Sequence, residues 1–390
     1  MKVKFDVAEL QKRLGQLGAV IARKAQEPLY QNVKLSVDAS GIVSLQGIDI
    51  DSTITVKLTA ATSDVTGCIL LDYKRLNSVV QAMRTKEASI SFSDEKSAAA
   101  KNDKKWSGLF QGTPTTLFDQ LAVVQAINNK PATGGYTLGL PGLKEQIEQV
   151  AFSIPAQDGK FVVPSALLES GPESLRVVAT DGKMITFSAL PANLGEFAFT
   201  LPKTLLELIL KLDGGPTVTI LDNELFYVVT ELETVTYAKT HAEFPPYQKV
   251  LPKIDAHTTI AVLQDKEALV SSLQMSLPFC NTEEPGIKFT VHPPENNVQS
   301  YIELHAQHTS EQATGDVFTD SAEDSLDAAV TGVATTFKLN IARLLPFLER
   351  ATFPVTLYAS DFRHVVSFHA AGSTPEKPTY SHYLMPMKLE

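Results

Sequence analysis

Two Asp-Gly-Lys triplets, a pair of histidines and two cysteines are the residues of this 390-residue chain whose types and spacing could do chemistry. Asp158-Gly159-Lys160 and Asp181-Gly182-Lys183 carry the glycine–lysine step of a phosphate loop. They lack the earlier glycine at the required spacing and the hydroxyl residue after the lysine. His305 and His308 fall in an alternating strand and the start of a loop, with no third ligand nearby in sequence, so they do not make a zinc site. Asp49 and Asp51 alternate with Ile48 and Ile50, which reads as a strand with one polar face. Cys68 and Cys280 are far apart and have no metal-ligand partners, which suits a reducing cytosol and excludes a disulfide framework. A Gly-x-Ser-x-Gly elbow, a His-Glu-x-x-His pair and a Cys-x-x-Cys pair are all missing from the sequence. The sequence therefore offers no catalytic residues, no metal site and no cofactor site. A hydrolase or transferase on repeated α+β domains, with a diffuse site, is the alternative from another class.

The elements that would position a binding site are clearer. One unit recurs six times: a short strand, a polar residue or two, then an amphipathic helix. The helices begin near Val7, Asp72, Pro141, Pro202, Asp265 and Asn340, and the strands that enter them fall near Phe5, Leu70, Tyr136, Phe199, Ile260 and Phe337. That is a step of roughly 65 residues, longer at the end. Each helix is followed by alternating runs. Val177–Ala179 and Met184–Phe187 flank Asp181-Gly182, and Thr217–Ile220 and Leu225–Val229 flank Asp222-Asn223, so both pairs read as hairpins. Six units pair into three α+β domains: 1–133, 134–255 and 256–390. Their boundaries fall in the turn-rich stretches Asn128–Gly135 and Pro252–His257. Asp94–Lys105 and the acidic Glu311–Asp327 read as polar insertions.

Charge is the main conflict. Lys plus Arg total 34 and Asp plus Glu total 44, so the net charge is −10, and an acidic surface repels phosphate. The helices answer this by sorting their residues. Leu10, Leu14, Leu17 and Ile21 share one side of the first helix, with Lys12 pointing away. Leu205, Leu208, Ile209 and Leu212 are the inner face of the fourth, with Lys203 and Lys211 outside. Ile341, Leu344 and Leu348 face inward in the sixth, with Arg343 and Arg350 together outside. Each of the six helices has a Lys or Arg on or beside its outer face, which implies positive charge on one surface and negative charge elsewhere. No apolar run approaches a membrane span, and Met1–Phe5 opens directly into strand alternation, so no signal peptide is expected.

Four local sequences are more specific. Leu175–Gly182 resembles the second-domain hairpin of bacterial DNA polymerase III beta subunits, the sliding clamps. Phe244–Pro252 resembles that family's linker into the third domain, Phe337–Asn340 its strand into the last helix, and Tyr383–Leu389 its terminal signature. They occur in the family's order, and the six-unit repeat extends the likeness over essentially the whole chain. The resemblance implies a clamp fold: three similar domains, each with two helices and antiparallel sheets, assembled as a head-to-tail homodimeric ring. The ring would encircle double-stranded DNA without reading bases. It would hold the replicative polymerase, the clamp loader and repair or translesion proteins through short hydrophobic peptides, in the bacterial cytoplasm at the nucleoid. A clamp paralogue specialised for repair or drug tolerance is the variant reading. The chain departs from the family at Lys183-Met184, where His-Arg is common, at Arg343, where an aromatic is common, at Phe118-Asp119, where Phe-Pro is common, and at Glu390, beyond the usual last leucine.

By position, the resemblance places a partner-peptide pocket at Val163, Thr180, Gly182, Lys183, Met184 and Ile185, with Pro245, Lys249 and Val250 from the linker. Val365, Tyr383, Met385, Pro386 and Met387 complete it from the third domain. Methionines and a tyrosine around a groove suit an extended peptide with bulky apolar anchors, and methionines repack around different clients. Candidate DNA contacts are Lys12, Arg13, Lys24, Lys74, Arg75, Gln157 and Lys203. Trp106, the only tryptophan, would meet Leu277 and Phe279 at the ring interface.

Overall fold

The computed structural model describes residues 2–21, 28–63, 66–94, 97–102, 106–113, 115–121, 124, 136–139, 141–157, 159, 163–192, 195–212, 217–221, 225–238, 243–252, 258–295, 298–311, 317–361 and 363–389. Lys24 and both expected domain boundaries, 133/134 and 255/256, lie outside them, as do the tip residues Asp222-Asn223.

Among the described residues, a strand runs into a helix six times. Lys2–Asp6 enters α1 (Val7–Leu17), and Gly67–Asp72 enters α2 (Tyr73–Ala82). A five-residue helix, α3 (Thr115–Asp119), stands outside the pattern. Tyr136–Gly139 leads to α4 (Pro141–Val150), Phe197–Pro202 to α5 (Lys203–Lys211), Thr259–Leu263 to α6 (Lys266–Ser276), and Thr335–Asn340 to α7 (Ile341–Arg350). The switch from strand to helix is written in the joining residue. Asp6, Asp72, Asp265 and Asn340 each accept a hydrogen bond from the backbone N–H three residues on, at 2.9, 2.7, 2.9 and 3.3 Å. Such caps satisfy an orphan helical donor and stabilise by about 1 kcal/mol each. The other two helices start at a proline, Pro141 at the first position of α4 and Pro202 ahead of α5, where the missing N–H costs nothing.

The expected helix faces are buried: Leu10, Leu14 and Leu17 on α1 with Ile21 after it, Leu205, Leu208 and Ile209 on α5 with Leu212 after it, and Ile341, Leu344 and Leu348 on α7. Side chains tie one helix to the end of the next. Tyr73 donates to the Leu14 carbonyl at 3.0 Å and Gln11 to the Val80 carbonyl at 2.8 Å. Lys144 donates to the Leu212 carbonyl at 2.6 Å. Lys266 donates to the Glu349 and Ala351 carbonyls at 2.7 and 3.2 Å. A cation at a helix C-terminus answers both the orphan carbonyls and the macrodipole.

The chain forms two compact units, Met1–Lys144 with Leu194–Ala242, and Glu145–Asn193 with Glu243–Glu390. In the first unit, one antiparallel ladder joins distant segments: Glu233–Ala238 pairs with Ser52–Leu58, Thr234 opposite Thr55. In the second, Met184–Pro191 pairs with Tyr380–Leu384, Ile185 opposite Tyr383. These two long-range ladders explain why the central stretch is shared between the two units.

Three expectations fail here. Asp49 and Asp51 are in a tight turn and not a strand: the Asp49 N–H donates to the Ser52 carbonyl at 2.7 Å, and Ile50 is 75% exposed at its tip. Burial beside Asp49 raises the Asp51 carboxyl. The stretches read as insertions are largely hairpin strands: Ser97–Asn102 pairs with Glu87–Asp94, and Val317–Asp327 pairs along its length with Tyr301–Glu311. Arg13 is not on an outer face. It is 3% exposed, its guanidinium 2.6 Å from the Glu233 carboxylate, with Gln16 on both at 3.0 Å.

Candidate peptide-binding groove and basic helix faces

The groove starts from one turn. Gly182 adopts φ +85°, which a glycine accepts without strain. Asp181 Oδ1 accepts from the Lys183 and Met184 N–H groups, both at 2.8 Å, and Thr180 donates to the Met184 carbonyl at 2.7 Å. Arg343 clamps the turn from α7, Nε to Asp181 Oδ2 at 2.9 Å. The expectation that Arg343 lies outside beside Arg350 is thus corrected: it pairs with Asp181, while Arg350 stacks on Phe152 at 5.4 Å. The tail then docks on the turn. Its strand Tyr380–Leu384 lies between Met184–Pro191 and Val366–His369, and the Met385 N–H donates to the Lys183 carbonyl at 3.0 Å.

Beneath this, Ile185, Phe187, Tyr247 and Tyr383 pack in one buried cluster, with the Phe187 and Tyr383 rings stacked at 5.3 Å. Tyr247 opens the short turn Tyr247–Lys249 and donates its hydroxyl to Glu169. Burial raises both phenols well above their ordinary range, so they stay neutral. The result is a groove of about 400 Å³. It is lined by Thr180, Gly182, Lys183, Met184, Ile185, Pro245, Lys249, Val250, Val365, Tyr383 and Met385, with Pro246 and Tyr247 added. Val250 and Met385 stand 53% and 48% exposed at its mouth, where large apolar side chains have no partner. No carboxylate lines it; Lys183 and Lys249 are its charged residues.

Three expected members do not line it. Val163 is exposed ahead of the strand Ser165–Ser170. Pro386 sits where the tail leaves the groove. Met387 has crossed to another strand: its N–H donates to the Lys338 carbonyl at 2.7 Å, and it faces Gly286, where a Cβ would meet its sulfur at 2.8 Å. Sequence reasoning missed Pro246 and Tyr247, although both lie inside the quoted linker motif.

Among the candidate DNA contacts, Lys12, Lys74, Arg75 and Gln157 are exposed and Lys203 is half-exposed. Lys12 on α1 and Lys74 and Arg75 on α2 belong to helices packed on each other. Arg13, committed to Glu233, is removed from the set. At the expected interface, Trp106 is 39% exposed and folds over Gly108, where any Cβ would lie 2.8 Å from the indole. Leu109, unforeseen, is 78% exposed beside it. Leu277 is 40% exposed, Phe279 is half-buried, and Met275, also unforeseen, is 63% exposed. Strand alternation in Ser107–Thr113 was the available signal for Leu109. His305 is held by Glu323 at 2.9 Å, and no group of three metal-binding side chains occurs among the described residues. No helix among them is long and apolar enough to cross a membrane.

The strand–helix repeat with antiparallel sheets leaves an apolar, peptide-sized groove beside the tail. The chain is similar to known proteins in sequence and in fold. The model of the DNA polymerase III beta subunit N-terminal domain matches residues 1–109. The beta sliding clamp of Escherichia coli K12 is 23% identical over 398 residues, covering 100% of both chains, and that of Synechocystis is 22% identical over 416 residues, again with full coverage. Among solved structures, the DNA polymerase sliding clamp of Bacillus subtilis superposes with TM-score 0.82 at 12% identity and full coverage of both chains. The Pseudomonas aeruginosa clamp bound to griselimycin does so with 0.80 at 19%, also over both full chains. The chain is thus similar along its whole length to DNA polymerase III beta subunits and shares the fold of their solved structures.

Proposed function

We propose that the protein is a DNA sliding clamp, a non-enzymatic processivity factor that encircles duplex DNA and tethers the replicative polymerase and other DNA-processing proteins. The groove carries this reading: in a chain similar along its whole length to sliding clamps, the tail and linker leave an apolar, carboxylate-free slot with exposed Met385 and Val250. A slot of that kind takes an extended peptide through bulky apolar anchors. Three domains, 1–133, 134–255 and 256–390, pair head to tail with a second copy. Trp106 and Leu109 of one protomer meet Met275, Leu277 and Phe279 of its partner, since large exposed apolar side chains anchor interfaces. Lys12, Lys74, Arg75, Lys203 and Gln157 face the DNA backbone, and Lys24 is included on sequence grounds. Such contacts are sequence-independent, which a sliding protein requires. The protein works in the cytoplasm, at the nucleoid, with the clamp loader and repair polymerases as further clients.

The test is processive synthesis by the replicative polymerase of the same source on a long primed circle. Product length should rise by an order of magnitude or more when the protein and its loader are added. Trp106→Ala should lose the effect and shift the light-scattering mass from dimer to monomer, because truncating an interface aromatic costs about 2 kcal/mol or more. Unchanged product length with the parent protein would contradict the reading.

A further inference from the structure

Beyond the tail lies a polar hollow of about 630 Å³, separate from the apolar groove and sharing none of its lining residues. Three of the residues that line it form one row across an antiparallel sheet: Lys338 is directly opposite Lys288, and Lys288 is directly opposite His305. The two lysine side chains therefore start from Cβ atoms about 5 Å apart, and like charges in that position repel and destabilise a sheet. Lys338 packs its Cε over Gly286 beside the Met387 sulfur, where a Cβ would lie 2.9 and 2.8 Å from them. Both lysines are half-buried, and among the described residues neither ammonium has a hydrogen-bond or ion-pair partner. Two carboxylates, Glu283 and Glu284, also line the hollow. Glu284 is paired with Lys183 at 2.6 Å, whose hydrogen bond and charge hold its carboxyl below the usual range, and Glu283 is exposed to water. Glu323, the carboxylate at the end of the row, is taken by His305 at 2.9 Å. Asn281 accepts with Oδ1 from the Glu283 and Glu284 N–H groups, at 2.8 and 3.3 Å, which leaves its NH2 group as a donor.

From this row we infer that the hollow binds a small oligophosphate, either inorganic pyrophosphate or the phosphate tail of a nucleotide. Lysine meets phosphoryl oxygens as a point charge. Adjacent phosphoryl groups put two charges side by side, one for each ammonium, and binding relieves the repulsion between the lysines. The spacing disfavours a peptide, whose carboxylates on one face of an extended chain are about 7 Å apart. The volume is that of a small-molecule site and is far too small for a duplex. Such a site requires neither the apolar groove nor a client peptide.

The test is calorimetry on the intact protein in a phosphate-free buffer at low salt, with pyrophosphate as the probe. One pyrophosphate should bind per chain, about tenfold more tightly than orthophosphate, and the affinity should fall as salt rises. Lys288→Gln/Lys338→Gln should weaken binding by about tenfold or more, and Lys288→Gln alone, the variant to use if the double one does not fold, by about threefold. Pyrophosphate should also raise the urea midpoint of the parent and leave that of the double variant unmoved. Adenosine diphosphate tells the two sources apart: tighter binding than pyrophosphate identifies a nucleotide, equal or weaker binding the inorganic ion, and each supports the site. No saturable binding to the parent, or equal binding by parent and variants, overturns it. So does displacement of pyrophosphate by an equal concentration of a tetra-aspartate peptide or of a short duplex, which would make the hollow a surface for carboxylates or for DNA.

Discussion

Met385 shows how a single side chain serves the groove. Its backbone N–H is fixed to the Lys183 carbonyl, while the side chain stays 48% exposed over buried Ile185 and Tyr383. Met385→Ala should therefore weaken an apolar client peptide by about tenfold without affecting stability, through lost packing; calorimetry reads this directly. His382, one residue before Tyr383, is the opposite case. It is fully buried between Phe152 and Phe347, accepts or donates one bond with Thr186 at 2.7 Å, and leaves Nε2 unpartnered. Burial pushes its pKa from 6.5 down to about 3. The unfolded chain takes up a proton that the folded one refuses. Stability contributed by neutral His382 is thus complete above about 6.5 and is lost as pH falls toward 3. The loss is up to about 1.4 kcal/mol per pH unit. Urea midpoints should fall over that window, and His382→Gln should flatten the fall; parallel curves for the two proteins would contradict this account of the tail strand.

At the scale of elements, the tail has two parts with different duties. Tyr380–Leu384 is an interior strand, paired on both sides, whereas Met385–Leu389 runs along the surface from the groove to the polar hollow. Deleting Met385–Glu390 should abolish client-peptide binding and leave the fold and the oligomeric mass unchanged; parental affinity on the truncated protein would move the client site elsewhere. The elements also show what the sequence revealed and what it hid. The strand–helix switches were legible because Asp6, Asp72, Asp265 and Asn340 stand between a period-two and a period-3.6 pattern. The Asp181-Gly182 hairpin was legible from its turn residues. Ser97–Asn102 and Val317–Asp327 were read as loops because they lack the alternation of a half-buried strand. Arg13 and Met387 were misplaced for another reason. Their surroundings are set by Glu233 and Lys338, remote in sequence, and no local pattern reports such a partner.

For the whole molecule, the account turns on charge being sorted by surface in a chain of net −10. Lys12→Glu/Lys74→Glu/Arg75→Glu should weaken retention on duplex DNA equally for all sequences and most at low salt, with the oligomeric mass unchanged. Parental retention by this triple variant at low salt would remove the basic faces from the DNA path. The most direct measurement asks whether the link to DNA is topological. The protein is loaded onto nicked circular duplex by its own clamp loader, separated from free protein by gel filtration, and the circle is then cut once with a restriction enzyme. A closed ring that slides stays with the intact circle and leaves when the DNA is linearised. Equal retention on circular and linear DNA, or none on the circle, would contradict the claim that this protein encircles its partner.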